Sequence, residues 1–102
     1  MAIVFYSLIT WIRENKKMPD YTIVLTQKAR KQLDKLSDNI AAPILQTIGL
    51  LAQNPRPKGY LKLKGRDGYR VRAGSYRIIY EILDNQLIVD VITIGHRKDI
   101  YD

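Results

Sequence analysis

The 102-residue chain predicts an α+β domain, with two helices packed on one face of a mainly antiparallel β-sheet. Three observations predict it. Apolar residues recur at helical spacing between residues 26 and 52, they alternate at strand spacing from Tyr69 onward, and turn formers stand where the period changes. No internal repeat or low-complexity segment interrupts this order, and the length suits one domain with one core.

Residues 1–20 are set apart from the domain at 21–102. Met1 to Ile12 is almost wholly apolar, yet twelve residues fall short of the roughly 20 a helix needs to cross a bilayer. A basic segment before the run and a small-residue cleavage site after it are both missing, which argues against a signal peptide. Val4, Leu8, Trp11 and Ile12 fit a short docked helix; the alternative is a start at Met18 with residues 1–17 as a poorly ordered extension.

The domain opens with Tyr21–Leu25, β-branched and apolar, which reads as a first strand. Thr26 is placed to cap a helix in which Ala29, Leu33 and Leu36 form the apolar stripe, with Lys28, Arg30, Lys31, Asp34 and Lys35 on the other side. Ser37-Asp38-Asn39 ends it and caps a second helix whose stripe runs Ile40, Ile44, Ile48, Leu51, Ala52. Pro43 belongs in a first turn, so that helix is expected to start late or be distorted. Asn54-Pro55-Arg56-Pro57 terminates it. A three-strand antiparallel meander follows: Tyr69–Ala73, Tyr76–Ile82 and Leu87–Ile94, with turns at Ala73-Gly74-Ser75 and Asp84-Asn85. The last strand is nearly all apolar and is expected to be the most buried.

Composition narrows the chemistry. There is no cysteine, which removes disulfides, thiolate metal sites and Cys nucleophiles and fits a reducing cytoplasm. A single histidine removes any multi-His metal site, and no cofactor motif is present. The charge is confined. From Arg56 to Arg77 stand eight basic side chains (Arg56, Lys58, Lys62, Lys64, Arg66, Arg70, Arg72, Arg77) against one acid, Asp67; the rest of the chain is balanced. A local field of this kind suits a polyphosphate backbone.

Arg70 and Arg72 are two apart on one strand and share a face. A two- or four-residue loop at Ala73-Gly74 would set Arg70 directly across from Arg77; a three-residue loop would turn Arg77 to the other face. Like charges directly opposite cost up to about 1 kcal/mol, which hints at a ligand supplying the anion. Solvated edge charges that deter aggregation are the plainer reading of any one arginine, and three on one face with Lys62 and Lys64 beside them favour phosphate binding.

Leu61-Lys62-Leu63-Lys64-Gly65, Tyr69–Tyr80 (YRVRAGSYRIIY) and Ile94–Tyr101 (IGHRKDIY) together resemble the RelE/ParE toxin superfamily, its RelE branch most closely, from about Tyr21 to the end. The resemblance implies a RelE-like microbial RNase fold and the toxin of a type II toxin–antitoxin pair. Such a toxin enters the ribosomal A site and cuts mRNA without a metal, by attack of the ribose 2′-oxygen on the adjacent phosphate. It implies three partners: a cognate antitoxin, the ribosome and mRNA. Carried over by position, Lys64, Arg70, Arg72, Arg77, Arg97 and Tyr101 fall on the family's functional sites, with Lys62 and Arg66 beside them as further phosphate contacts.

Arg70 and Arg72 stand where the familiar RelE pattern has lysines. Arginine does not release its proton, so these two read as phosphate clamps and the general base is open. His96 is a candidate acid or base by its ordinary pKa, or a plain turn histidine. Glu81 is a base or a salt-bridge partner of Arg77, and Tyr101 stacks on a base or donates to the phosphate. Two other readings compete. One is a ParE-like poison of DNA gyrase acting by binding alone. The other is a non-catalytic nucleic-acid-binding domain, which would use Tyr60, Tyr69 and Tyr76 for stacking.

Overall fold

The computed structural model describes residues 21–96 and Lys98. The expectations for residues 1–20, Arg97 and Tyr101 lie outside the described residues.

Strand β1 (Thr22–Leu25) leads through Thr26 into α1 (Gln27–Asp34) and then α2 (Asp38–Leu51). Thr26 caps α1 as expected, its hydroxyl accepting from the Ala29 N–H at 3.1 Å. Ala29 and Leu33 are buried and Leu36 packs against them, so the stripe is the one the spacing gives. The second helix does not start late: it begins at Asp38 and carries Pro43 inside its second turn, which removes the N–H that would reach the Asn39 carbonyl. Its stripe also starts later than the pattern suggests. Ile40 is 40% exposed, and burial begins at Ala41 and Ile44.

Among the described residues the sheet has five strands, in the order β1-β5-β4-β3-β2. Here β2 is Leu61–Lys62, β3 Tyr69–Ala73, β4 Tyr76–Leu83 and β5 Ile88–His96. All pairings are antiparallel except β1 with β5, which run parallel from Thr22–Ile88 to Leu25–Val91. One face packs on both helices. Val71 and Ala73 of β3, Ile78 and Tyr80 of β4, and Val89, Val91 and Ile94 of β5 join Ala29, Leu33, Ile44, Ile48 and Leu51 in a single apolar core. Tyr80 is wholly buried, and its hydroxyl donates to the Pro55 carbonyl at 2.6 Å, pinning the segment after α2. Burial holds this phenol well above its ordinary pKa.

Val91 and Ile94 are three apart yet share the core face. An irregularity in the ladder makes this possible: Ile79 pairs with Thr93 but Tyr80 with Val91, leaving Ile92 as an extra residue. The bulge lies where β5 outruns β1. There the strand's free edge is fastened by side chains of the α1 segment: Thr26 Oγ1 donates to the Ile92 carbonyl at 2.6 Å, and Gln32 Oε1 accepts from the Ile94 N–H at 2.7 Å. β5 is not the most buried strand as expected: three of its nine residues are buried, against three of eight in β4. No helix among the described residues is long and apolar enough to cross a membrane.

Candidate active site

The face of the sheet away from the helices carries the arginines. Because Val71 and Ala73 point into the core, Arg70 and Arg72 must point out of the other side. The hairpin closes with a two-residue loop, Gly74-Ser75, and Gly74 takes the positive φ of 65° that a two-residue loop asks of its first position. That loop sits one residue later than the one expected at Ala73-Gly74, so the register differs by two. Arg72, not Arg70, stands directly across from Arg77, while Arg70 faces Ile79. A shift of two preserves the face. All three guanidinium-bearing residues therefore remain together, Arg77 directly opposite Arg72 and diagonal to Arg70.

They line a hollow of about 270 Å³ with Gly59, Leu61 and the backbone side of Val71. Leu61 enters it because β2 pairs Leu61 with Arg70. Of the described residues that line it, three are arginines and none is acidic. Arg72 is exposed, and Arg70 and Arg77 are half-buried. A site of this shape takes an anion whose charge is spread over several oxygens, as a phosphodiester's is.

The other sequence candidates divide. Lys62 pairs with Tyr69 and so belongs to the opposite face from Leu61. Its ammonium lies 5.6 Å from the centre of the Tyr69 ring and donates to the Arg66 carbonyl at 3.0 Å, fastening the loop rather than entering the hollow. Lys64 is exposed on that loop and is not among the lining residues. Arg66 lines a separate hollow with Asp67, Ile79, Glu81 and Ile92. His96 pairs with Tyr76 whereas Arg77 pairs with Gly95, which sets the imidazole on the helix side of the sheet. Its ring meets the Tyr76 ring edge-on at 5.4 Å, and Nδ1 accepts from the Lys98 N–H at 3.2 Å. The structure thus does not bring His96 into the arginine hollow.

Arg56 begins the basic stretch but is spoken for. It forms a fork with Asp84 at 2.9 and 3.3 Å, and Tyr21 donates its hydroxyl to the same carboxylate at 2.6 Å. These bonds hold the Asp84 carboxyl below its ordinary range, the guanidinium being the larger cause, and the same pair raises the Arg56 pKa further. A depressed carboxylate stabilises the fold above its unfolded pKa and loses that contribution as pH falls through the folded value. Comparing melting temperatures with Asp84→Asn is expected to show a deficit for the variant at pH 7. The deficit should close below about pH 4, the ordinary carboxylate value.

Gly59 was not singled out in the sequence, and Leu61 stood in a motif without a role of its own. The pairing that sets Leu61 beside Arg70 is visible only in the folded sheet. Among the described residues no group of three or more His, Cys, Asp or Glu is gathered as metal ligands would be.

Chains like this one in architecture and sequence are small toxins. A family model described as the ParE toxin of the type II toxin–antitoxin system parDE matches residues 23–101. Toxin RelG of Mycobacterium tuberculosis is 34% identical over 83 residues, covering 79% of this chain and 95% of that protein. The mRNA interferase toxin RelE of Escherichia coli K12 is 27% identical over 81 residues, 76% of this chain and 84% of its own. The toxin–antitoxin complex RelBE2 of Mycobacterium tuberculosis contains a chain that superposes with a TM-score of 0.68 at 31% identity, covering 80% of this chain and 97% of that one. The chain belongs to the RelE/ParE superfamily of type II toxins, on its RelE-like branch.

Proposed function

We propose that this toxin is a ribosome-dependent endoribonuclease that cuts mRNA at A-site codons and so arrests translation in the cytoplasm. The observation that carries the reading is the hollow where Arg70, Arg72 and Arg77 meet. The relative named an mRNA interferase supports it. In the reaction the ribose 2′-oxygen attacks the adjacent phosphorus and the P–O5′ bond breaks. A 2′,3′-cyclic phosphate and a 5′-hydroxyl result, the 2′-OH proton ending on O5′. The three arginines hold the phosphodiester and neutralise the charge that grows on the phosphorane oxygens. DNA, lacking the 2′-oxygen, is spared.

Among the described residues, no side chain lining the hollow exchanges a proton near neutrality, because arginine keeps its charge. The share of these three arginines is therefore electrostatic, and the ribosome contributes by aligning the 2′-oxygen with the phosphorus and the leaving oxygen. Arg97 and Tyr101 are assigned to the same site by the sequence motif, Tyr101 to stacking on a base or donating to the phosphate. A cognate antitoxin is the proposed inhibitor, by likeness to the toxin–antitoxin complex above.

The family model's ParE description favours one second reading, in which the same surface poisons DNA gyrase by binding. Primer extension on a message under translation separates the two. Breaks inside codons, appearing with ribosomes and nearly absent on free RNA, are expected. Intact message with arrested DNA replication would overturn the nuclease in favour of the gyrase poison.

A further inference from the structure

The chain's single histidine has no part in the lining of the arginine hollow, yet its ring is held in a definite place. Side chains along β5 alternate between the two faces of the sheet. Gly95 stands across from Arg77 on the arginine face, and His96 stands across from Tyr76 on the helix face. A strand continued by one residue returns to the arginine face. His96 is thus the last residue of β5 before position 97, whose arginine the sequence motif assigns to the arginine site.

Two contacts fix the imidazole. Its ring meets the Tyr76 ring edge-on, with centroids 5.4 Å apart and planes at 73°. Tyr76 packs against the apolar core, so the imidazole leans on a surface tied to the body of the domain. The second contact is the hydrogen bond that Nδ1 accepts from the Lys98 N–H at 3.2 Å. This bond joins residues two apart and spans position 97 between them. Side-chain to backbone bonds of this kind set the local course of a chain that has left the ladder. An accepting Nδ1 carries no proton, so the proton of the neutral ring sits on Nε2. A protonated ring has two donors and no acceptor, and the bond to Lys98 is lost with it.

The charged and titratable groups around the ring come from three elements. On β4 it meets Tyr76, while Arg77 belongs to the other face. Helix α1 packs on the same side of β5 and carries Lys28, Lys31 and Lys35 beside Gln32, whose amide bonds the strand at Thr93 and Ile94. Lys98 follows on the ring's own segment. Among the described residues no carboxylate bonds the ring.

We propose that His96 is a positioning residue for Arg97: its neutral Nδ1, braced by Tyr76, anchors the Lys98 N–H and so fixes the turn that presents the Arg97 guanidinium to the arginine face. The proposal rests on the nuclease reading above. In it His96 touches neither the message nor the reacting atoms and exchanges no proton with them.

Two isosteric substitutions separate an acceptor at this place from a catalytic imidazole. Asparagine sets its carbonyl oxygen where Nδ1 stands, whereas glutamine reaches only to the place of Nε2. The readout is single-turnover cleavage by purified toxin on saturating programmed ribosomes, with melting temperatures confirming that each variant is folded. His96→Asn is expected to cut as wild type does, and His96→Gln and His96→Ala about 5-fold more slowly, the scale of one net hydrogen bond. Lowering the pH from about 8 to about 5, across the range where histidine changes charge, should slow wild type relative to His96→Asn. The sign follows because protonation removes the acceptor from the imidazole and leaves the asparagine carbonyl intact. An asparagine variant as slow as the other two would overturn the proposal in favour of proton transfer by the ring. Three variants as fast as wild type would overturn it too, and both results leave the nuclease standing. A Lys98 amide proton resonance that ignores pH in wild type would remove the anchor whatever the toxin cuts. No cutting of any message by wild type would remove the nuclease reading and this one with it.

Discussion

Replacing Arg77 with alanine is expected to lower ribosome-stimulated cleavage by on the order of 10²–10³-fold, the range seen when one preorganised donor to a developing oxyanion is removed. Arg77 sits on a central strand, directly opposite Arg72 and diagonal to Arg70, so its position comes from the ladder and not from the substrate. The comparison that makes this decisive is Arg72→Ala. Arg72 is exposed and faces a like charge, so its removal is expected to leave stability unchanged or raise it by up to about 1 kcal/mol. Activity should nevertheless fall. Single-turnover cleavage on programmed ribosomes, with urea melts of the same preparations, checks both. Full activity in the two alanine variants would show that the hollow is not where the phosphate reacts.

Gly68→Ala is the second large effect, and it acts on the fold. Gly68 holds φ at +116°, a conformation that side chains rarely adopt. A β-carbon there would lie 3.1 Å from Leu63 Cδ1 and 3.2 Å from the Tyr80 carbonyl oxygen. The leucine tip is able to yield; the carbonyl belongs to β4 and is not. Backbone strain and this contact together are expected to cost about 3 kcal/mol. The loss should appear as a lower urea midpoint, with Leu63 and the loop that carries Arg66 and Asp67 displaced from the sheet. A midpoint equal to wild type would mean that the loop rearranges freely.

Much of the framework was legible in the residues because local chemistry decides it. Thr26 caps a helix wherever an apolar stripe follows at Ala29 and Leu33, and the alternation through Tyr69–Ala73 sends Arg70 and Arg72 out of one side. What stayed hidden depends on counting across strands. The partner of Arg77 turned on whether the hairpin closes at Gly74-Ser75 or one residue earlier, and both closures suit the same turn formers. Lys62 resembled a member of the basic cluster. A two-residue strand pairs it with Tyr69, and this parity takes it out of the hollow. His96 is separated from Arg77 in the same way, by pairing with Tyr76 across a strand whose bulge shifts the count. Charge proximity in sequence carries no information about side.

The arginine bed is held by ladder bonds to strands on either side, β2 and β4. Its cations are therefore anchored at fixed intervals before any ligand arrives. Such a ruler gauges only spacing and charge, and those are the same in every stretch of phosphodiester the cell contains. Fidelity must then come from something other than this grip, and on the nuclease proposal above loose transcripts should be poor substrates unless another machine feeds them.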